Sequence, residues 1–354
     1  MDCPKYDLAI IGLGPAGAAL AGFADEKLRV IAIDKKDDRP QSFEKPCGGL
    51  LAPDAQKTLA RFRLTLPLEI LVNPQIFSVR TLDLKSGLER FYQRHYINLD
   101  RRCLDEWLIS RIPAQVEVQK NARCTKIEAQ AGGYLVSYTQ NGSGYTIFAC
   151  YLVGADGANS IVRKQLYPKH KIRSYLCIQQ WFSGESITPS YASVFDPSLT
   201  DCYAWGLTKN EHFIFGGAFP VQNAKEAFET LKQKMGAHGF PLTDPLKTEA
   251  CLALRPRGPF SQCTGKSGVF LVGEAAGFIS PSSLEGISYA LDSAWLLSRV
   301  LSQPQKNPSR AYFRATLKLR AKLLAKNLKS MVMYQPLLRR IVMRLGLGSM
   351  DVLD

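Results

Sequence analysis

The 354-residue sequence lacks any run of about 18 uninterrupted apolar residues, the length that a membrane-spanning helix needs. None of its nine cysteines forms a C-x-x-C pair, and its four histidines show no metal-ligand spacing. The N-terminus has no basic region followed by an apolar one, which a secretory signal would need. We therefore expect a cytoplasmic protein with reduced thiols and no metal site.

Acidic residues are absent between Asp292 and Asp351, a stretch that carries twelve lysines and arginines. The net charge of the whole chain is +14, so most of the excess lies in this stretch. Pro336 divides it into two predicted helices. One interpretation is a helical cap whose charges face water. The other is that residues 306–345 bind an anionic membrane surface, which would add peripheral membrane association to the cytoplasmic location. We expect no nucleic-acid partner, because no recognised nucleic-acid-binding fold accompanies the charge.

The N-terminal residues have the pattern of a strand, a glycine-rich turn, a helix and a second strand. Gly12, Gly14 and Gly17 form G-x-G-x-x-G between the apolar segments YDLAIIG and LRVIAID. The first glycine permits a tight turn, the second allows a pyrophosphate to approach, and the third allows close helix packing. Asp34 ends the second strand, where an acid accepts hydrogen bonds from a ribose. The pattern predicts a dinucleotide site, and by itself it does not distinguish FAD from NAD(P).

The middle of the chain has a different pattern. Between residues 172 and 220, short aromatic-rich segments are separated by turn residues, which is typical of an antiparallel sheet. Residues 269–273 (VFLVG) return to the pattern of a buried strand. We predict an α/β fold with a discontinuous Rossmann-like dinucleotide-binding domain, an antiparallel β-sheet substrate domain and a C-terminal helical segment. The predicted boundaries are 1–73, 100–171 and 262–305 for the first domain, 74–99 and 172–261 for the second, and 306–354 for the basic segment.

Two further segments distinguish FAD from NAD(P) as the cofactor. They are YLVGADGANSIVRKQL at 151–166 and VFLVGEAAGFISPSSLEGISYAL at 269–291. In this order they resemble the DG and GD motifs of the flavoprotein superfamily that contains the aromatic hydroxylases and geranylgeranyl reductases. The resemblance implies FAD as the cofactor, with the Glu274 carboxylate on the ribitol. It also implies that the helix beginning near Gly286 points its N-terminus at the flavin pyrimidine.

Two more segments narrow the resemblance to the geranylgeranyl reductase family, and it covers nearly the whole chain. KPCGGLL at 45–51 is similar to that family's cysteine–glycine loop, and DRRCLDEWL at 100–108 to its R-x-x-x-D-x-x-L element. The resemblance implies that Arg101 reaches the FAD pyrophosphate and that Asp105 is structural. The full set of residues assigned to the cofactor site is Gly12, Gly14, Ala16, Gly17, Asp34, Lys35, Cys47, Gly48, Gly49, Arg101, Cys124, Asp156, Gly157, Gly273, Glu274, Gly277, Gly286 and Ile287.

The sequence departs from the family pattern at two positions. Glu274 replaces the usual Asp, so we expect its ribitol contact to come from a withdrawn backbone or through water. Leu284 stands where the family has Gly, and leucine disfavours left-handed backbone. We therefore expect a rearranged turn before Gly286.

The resemblance implies an FAD-dependent oxidoreductase that reduces C=C bonds of a prenyl or other lipid-like substrate by hydride transfer. Cys47 is the candidate catalytic residue, and its alternative role is a small buried residue packed beside the flavin. Trp181, Trp205 and Phe215 are candidates for an apolar substrate pocket, and their alternative role is sheet core. Two other functions stay open: an aromatic hydroxylase, and a non-catalytic flavin-containing lipid-binding protein. No second glycine-rich βαβ unit occurs, so NAD(P)H or a small electron-transfer protein would bind transiently as the electron donor.

Overall fold

The structure is a computed structural model that describes residues 3–37, 45–184, 191–240 and 242–352. Two β-sheets and several helices account for most of these residues. The strands are β1 (Lys5–Ile11), β2 (Val30–Ile33), β3 (Leu50–Leu51), β4 (Ile76–Asp83), β5 (Leu88–Asn98), β6 (Glu117–Gln119), β7 (Ala122–Gln130), β8 (Gly133–Gln140), β9 (Ser143–Gly154), β10 (Ser174–Ser183), β11 (Tyr191–Phe195), β12 (Ala204–Lys209), β13 (His212–Pro220), β14 (Lys247–Leu254), β15 (Gly265–Lys266) and β16 (Val269–Leu271).

Helices connect these strands and form the end of the chain. They are α1 (Pro15–Gly22), α2 (Pro53–Arg61), α3 (Arg101–Ser110), α4 (Ile161–Leu166), α5 (Ala224–Gly236), α6 (Ile287–Leu301), α7 (Pro308–Ala315), α8 (Leu317–Tyr334) and α9 (Pro336–Arg344), with short 3₁₀ turns at Leu68–Ile70, Val221–Asn223 and Gly273–Ala276. The predicted break at Pro336 is confirmed, since this residue begins α9. None of the described helices is both long and apolar enough to cross a membrane.

The chain divides into two compact units. The first contains Met1–Glu44, Leu104–Arg173 and Leu254–Ala325, and the second contains Lys45–Cys103, Ser174–Ala253 and Lys326–Asp354. This division differs from the predicted boundaries in several segments. Residues 45–73 and 100–103 belong to the second unit, residues 172–173 and 254–261 belong to the first, and the basic segment 306–354 is divided between the two units after residue 325. Strand β3 pairs with β5 in the second unit, and the last two helices are held by ion pairs to the same unit.

The first unit is built on a mainly parallel sheet with the strand order β15-β16-β9-β1-β2-β6. Strand β1 pairs in parallel with β2 and β9, and β16 pairs in parallel with β9. Strands β7 and β8 add an antiparallel meander to the edge of β9. The apolar runs of β1 and β2 are buried, as strands covered on both faces require. The predicted α/β fold with an opening βαβ unit is confirmed.

The second unit is built on a mixed, mostly antiparallel sheet with the order β14-β10-β13-β12-β11-β4-β5-β3. Side chains alternate between its two faces. One face packs on α5, where Phe213, Phe215 and Phe219 contact the buried Phe228 and its neighbours. The opposite face carries Trp181 and Trp205, which are only partly buried. The predicted antiparallel sheet therefore has one closed face and one aromatic face.

Helix α9 is anchored to the second unit by a buried ion pair. The Arg339 guanidinium lies 3.1 Å from the Asp83 carboxylate, and the side chains of both residues are almost completely buried. Arg339 also donates to the Met333 carbonyl and stacks over the Phe195 ring at 4.7 Å. The Asp83 carboxylate accepts additional hydrogen bonds from Ser86 and the Lys85 N–H. The ion pair therefore fixes the rotation of α9 about its own axis.

Removing one partner of this ion pair would leave the other charge buried. We expect Arg339→Met to lower the free energy of unfolding by about 3–5 kcal/mol. The double variant Asp83→Asn/Arg339→Met should recover much of that loss, because no uncompensated charge then stays buried. Urea unfolding followed by tryptophan fluorescence measures both changes. The exposed neighbour Arg340→Met is the control and should change stability by less than about 0.5 kcal/mol. Equal losses from Arg339→Met and Arg340→Met would contradict the proposed anchoring.

Candidate functional site

The turn between β1 and α1 needs glycine at its first and last motif positions. Gly12 has a φ of 97°, and a Cβ there would lie 2.8 Å from the Ala155 carbonyl oxygen. A Cβ on Gly17 would lie 1.8 Å from the Gly12 carbonyl oxygen. Both positions therefore exclude a side chain through backbone contacts that cannot move away. The turn is packed directly on the end of β9.

Gly14 differs from its two neighbours because a Cβ there would meet no atom within 4 Å. It is the N-cap of α1, makes no side-chain cap, and is followed by Pro15 in the first turn. That turn has no acidic residue, so no side chain of the helix itself offsets the partial positive charge of its N-terminus. Space of this kind beside a helix N-terminus suits a phosphate group. Ala16 lies behind the turn, 2.7 Å from where a Cβ on Gly273 would lie.

Asp34 holds the glycine turn in place. Its carboxylate accepts the Leu13 N–H at 2.8 Å and the Lys36 N–H at 3.1 Å, and the side chain is buried. Each carboxylate oxygen can accept more than one hydrogen bond, so a ribose contact stays available. Lys35 is exposed, whereas Lys36 is half-buried and pairs with Asp105 at 3.1 Å. Sequence reasoning missed Lys36.

Asp156 occupies the turn after β9. Its Oδ2 accepts the Ile161 N–H at 2.7 Å, while its Oδ1 has no hydrogen-bond partner among the described residues. Burial raises the pKa of the Asp156 carboxyl, and hydrogen bonds from Ser160 and the α4 amides oppose that rise. Gly157 follows with a φ of 70°. Burial, together with the Asp156 charge, raises the pKa of the nearby Cys124 thiol to about 12, so this thiol keeps its proton at neutral pH.

Arg163 and Glu274 connect the second and third motifs. The buried Arg163 donates to the Ala275 carbonyl at 2.9 Å and to the Ala158 carbonyl. Glu274 Oε1 accepts the Leu254 N–H at 2.9 Å, and its Oε2 lies 4.0 Å from where a Cβ on Gly157 would lie. The longer side chain of Glu274 thus reaches a backbone amide of its own unit while staying beside the Gly157 turn.

The segment before α6 contains a left-handed leucine. Leu284 has a φ of 53°, which lies in the left-handed region. The sequence predicts a rearranged turn in which leucine avoids this region. Instead the residue adopts this conformation, which costs roughly 1–2 kcal/mol. Hydrogen bonds from the Leu284 N–H to Ser280 and from the Ser280 N–H to Glu285 close the turn. Gly286 is the N-cap of α6, and Ile287 is its first residue. Gly273 and Gly277 also have positive φ, at 54° and 79°.

In the second unit, the cysteine–glycine loop is packed against a buried lysine. Cys47 Sγ accepts the Gly49 N–H at 3.4 Å, and Gly48 contacts Leu207. A Cβ on Gly49 would lie 2.7 Å from the Lys209 Nζ and 2.3 Å from the Leu99 carbonyl oxygen. Gly49, at a φ of 61°, is therefore required for the loop to lie this close.

Lys209 itself is buried at the end of β12. Its Nζ donates to Asn98 Oδ1 at 2.9 Å and to the Leu99 carbonyl. Burial lowers its pKa to about 8, and the electrostatic effects of Cys47 and Asp100 partly oppose this. Arg101 begins α3 in the same unit, where Asp100 caps the Arg102 and Cys103 amides. The contact of Arg101 with a pyrophosphate stays a prediction.

The three candidate pocket residues have different surroundings. Trp181 donates its indole N–H to Glu249 at 2.8 Å and packs edge-on against His212. Trp205 lies over Gly216, and its buried Nε1 has no partner among the described residues. Phe215 is fully buried and stacked on Phe228, with ring centroids 6.0 Å apart. Phe215 thus has no exposed surface for a substrate, and the core role accounts for it.

Two residues of this unit were missed from the sequence. Lys209 alternates with Trp205 and Leu207 along β12, so the three side chains share the aromatic face. Gln179 lies on the same face of β10, opposite Gly216, and its buried Oε1 is unpaired in the described structure. From the sequence alone, a lysine at the end of a strand is usually predicted to be exposed to solvent. Its burial follows from contacts with residues more than 100 positions away, which a local pattern does not contain.

Comparisons with known proteins agree with this geometry. Residues 101–230 match the family described as FAD binding domain. A geranylgeranyl bacteriochlorophyll reductase-like protein from Thermoplasma acidophilum superimposes with a TM-score of 0.83 at 16% identity, over 96% of this chain and 91% of that chain. PqsL from Pseudomonas aeruginosa, described as a probable FAD-dependent monooxygenase, gives a TM-score of 0.71 at 16% identity, over 96% and 98%. The chain is therefore an FAD-binding flavoprotein with the fold shared by these oxidoreductases and monooxygenases.

A full-length relative identifies the family. Protein CbrA from Shigella sonnei is 50% identical over 98% of this chain and 99% of its own length. The chain belongs to the CbrA family. The resemblance to FAD-binding flavoproteins, stated from the motifs alone, is confirmed, and the geranylgeranyl bacteriochlorophyll reductase-like protein shares the fold.

The first unit fits the adenosine and pyrophosphate half of FAD. Gly14 leaves open space at an uncapped helix N-terminus, and the buried Asp34 keeps acceptor capacity beside it. Asp156 lies in the turn that packs on Gly12. Its buried Oδ1 is a further hydrogen-bond acceptor, and it has no partner among the described residues. These residues would hold the dinucleotide. The assignment of each remaining cofactor residue stays a prediction.

Gly14 and Gly17 offer a matched pair of substitutions. Gly14→Ala meets no protein atom, so we expect unchanged thermal stability but roughly tenfold weaker FAD binding, because the added methyl occupies the phosphate space. Gly17→Ala should instead destabilise the protein, since its Cβ would collide with the backbone. Titration of apoprotein with FAD and thermal unfolding separate the two effects. Gly144→Ala, also in open space, is the control. Unchanged FAD affinity in Gly14→Ala would disprove the placement.

The Lys209 pKa predicts a dependence of stability on pH. Since the pKa is lowered from 10.5 to about 8 in the folded state, the unfolded chain binds more protons between these two values. Relative to Lys209→Met, the wild-type free energy of unfolding should therefore rise with pH across this window, by about 3 kcal/mol in total. Urea unfolding of both proteins at several pH values measures the difference. Exposed Lys225→Met is the control, and a flat difference between wild type and Lys209→Met would contradict the burial argument.

Proposed function

We propose that this flavoprotein reduces C=C bonds of a prenyl or other lipid-like substrate. The observation that carries the proposal is the aromatic face of the second sheet. Across neighbouring strands, Tyr191, Leu207, Ile214 and Trp181 stand in one row. Tyr191, Leu207 and Ile214 are buried in this row, with Gly48 of the cysteine–glycine loop beside Leu207, whereas Trp181 and the neighbouring Trp205 are only partly buried. The two partly exposed indole rings, backed by this apolar row, suit contact with a hydrocarbon chain.

The next row of the same face supplies the polar recognition. Trp205, Gly216 and Gln179 are cross-strand neighbours, and Gly216 leaves room for the indole ring. Trp205 Nε1 is a buried donor and Gln179 Oε1 a buried acceptor, each unpaired in the part of the chain that the structure describes. Buried polar atoms are normally paired, so both favour a ligand group. A hydroxyl both accepts and donates a hydrogen bond, so the proposed substrate is an apolar chain that ends in an alcohol.

The chemistry combines a hydride with a proton. FAD, when bound and reduced, supplies the hydride to one alkene carbon. The other carbon needs a proton, and we assign it to the Cys47 thiol. Donation converts the alkene to a saturated C–C bond and leaves a thiolate on Cys47, in the loop that packs against Lys209. Solvent then returns the proton to Cys47. NAD(P)H or a small electron-transfer protein, binding transiently, is proposed as the source of electrons.

An anaerobic reoxidation experiment tests this proposal. The purified holoprotein is reduced with dithionite, and the flavin absorbance is followed after a detergent-solubilised polyprenyl alcohol is added. We expect reoxidation and a saturated product by mass spectrometry. Cys47→Ala should slow reoxidation without loss of FAD. Failure of every polyprenyl lipid to reoxidise the flavin would refute the reductase.

Trp205→Phe tests the hydroxyl contact because it keeps an aromatic ring and removes the N–H donor, while the lost part of the indole affects the alcohol and the matching hydrocarbon alike. We expect the KM for the alcohol to rise roughly three- to tenfold more than the KM for the hydrocarbon without a hydroxyl, which is the value of one hydrogen bond. Trp107→Phe, on α3, is the control. An equal effect on alcohol and hydrocarbon would mean that Trp205 acts only by packing.

An aromatic hydroxylase is the second candidate, and the fold shared with the probable monooxygenase PqsL favours it. Its prediction is different: NAD(P)H consumption and oxygen uptake stimulated by a phenol. A flavin that binds lipid but is reoxidised by neither substrate would favour a lipid-binding protein.

A further inference from the structure

Helix α9 is amphipathic with its apolar side facing solvent. Leu337, Leu338, Ile341 and Leu345 are 61%, 42%, 46% and 66% exposed. Arg340 and Arg344 are exposed as well. At about 100° per residue, these six side chains fall within an arc of roughly 160°, which we call the outer face of α9.

The opposite side of α9 is fixed to the protein. Arg339 and Met343 are buried, and the Met343 carbonyl accepts a hydrogen bond from Arg90 at 2.9 Å. Arg339 forms the buried ion pair with Asp83. Because a charged side chain is held inside, the helix cannot rotate to bury its leucines without leaving Asp83 unpaired. The buried ion pair therefore keeps the outer face of α9 exposed.

The end of α8 shows the same arrangement. Asn327 and Ser330 are buried, whereas Leu328 and Met331 are 61% and 66% exposed. Polar residues inside and aliphatic residues outside reverse the usual pattern of a surface helix. The end of α8 and the whole of α9 belong to the second unit, and both expose apolar side chains, which is more than scattered surface leucines would give.

The charges on the outer face of α9 indicate which kind of partner binds there. No acidic residue occurs between Asp292 and Asp351, so every charged side chain on the outer face of α9 is a cation. Two copies of this face would bring like charges together, and a nucleic acid would leave the leucines exposed. An anionic bilayer accepts both features, because leucines enter the acyl boundary while guanidinium groups bind lipid phosphates. We propose that the outer face of α9 docks this protein on an anionic lipid bilayer.

Vesicle co-sedimentation of the FAD-loaded full chain tests the proposal. The probes are phosphatidylcholine vesicles and vesicles that also contain phosphatidylglycerol. We expect binding to the second kind, weakened by added salt. Arg340→Gln/Arg344→Gln should lower the partition coefficient roughly 30-fold, given the contribution of each cation near a bilayer. Leu337→Ser/Ile341→Ser should lower it roughly tenfold, because less apolar area enters the membrane.

The control exchanges two exposed cations elsewhere, Arg123→Gln/Lys225→Gln, and should bind like the wild type. Thermal unfolding and FAD content show that each variant is folded. The proposal would be overturned if binding did not depend on the anionic lipid. It would also be overturned if the control substitutions lowered the partition coefficient as much as Arg340→Gln/Arg344→Gln does. A dimer in solution that Leu337→Ser/Ile341→Ser dissociates would overturn it too, since a second copy would then cover the face. Flavin reoxidation by detergent-solubilised substrate should be unchanged in the α9 variants, so this test is independent of the proposed reaction.

Discussion

Backbone contact between the glycine turn and the end of β9 is the constraint on which the first unit depends. The missing side chains of Gly12 and Gly17 allow carbonyl groups to approach where any Cβ would collide. Asp34 then fixes the turn through the Leu13 amide, and Arg163 links the following two motifs through carbonyl groups. The cofactor motifs are thus held mainly by backbone atoms. Among the three glycines of the turn, Gly14 leaves side-chain space open, and a phosphate would approach there.

The second unit depends on buried cations instead. Lys209 supports the cysteine–glycine loop from beneath, and Arg339 anchors the last helix on Asp83. Each cation is desolvated and held by oxygen partners, which makes both sites sensitive to the loss of a single group. The first cation lies against the loop that carries the proposed proton donor. The second decides which side of a helix faces outward. The proposed chemistry and the proposed docking of this unit therefore rest on the same type of interaction.

Local motifs made much of the first unit predictable. Gly12, Gly14 and Gly17 are adjacent in sequence and need only a strand before and a helix after them, so the pattern contains the geometry. Lys209 and Arg339 were not predicted to be buried, because their partners Asn98 and Asp83 are 111 and 256 residues away. Leu284 was misjudged for a related reason. Propensity disfavours its backbone conformation, but hydrogen bonds from the surrounding turn impose it.

The buried Arg339–Asp83 pair also sets an order of events during synthesis. Asp83 leaves the ribosome 256 residues before its partner, so at about 5–20 residues per second it waits roughly 13–50 s for compensation. During that time the nascent second sheet carries an unmatched carboxylate and lacks its closing helices. Until Arg339 is available, burial of the Asp83 carboxylate lacks its compensating cation. The part of the second unit around Asp83 is therefore completed only after residue 339 has been synthesised.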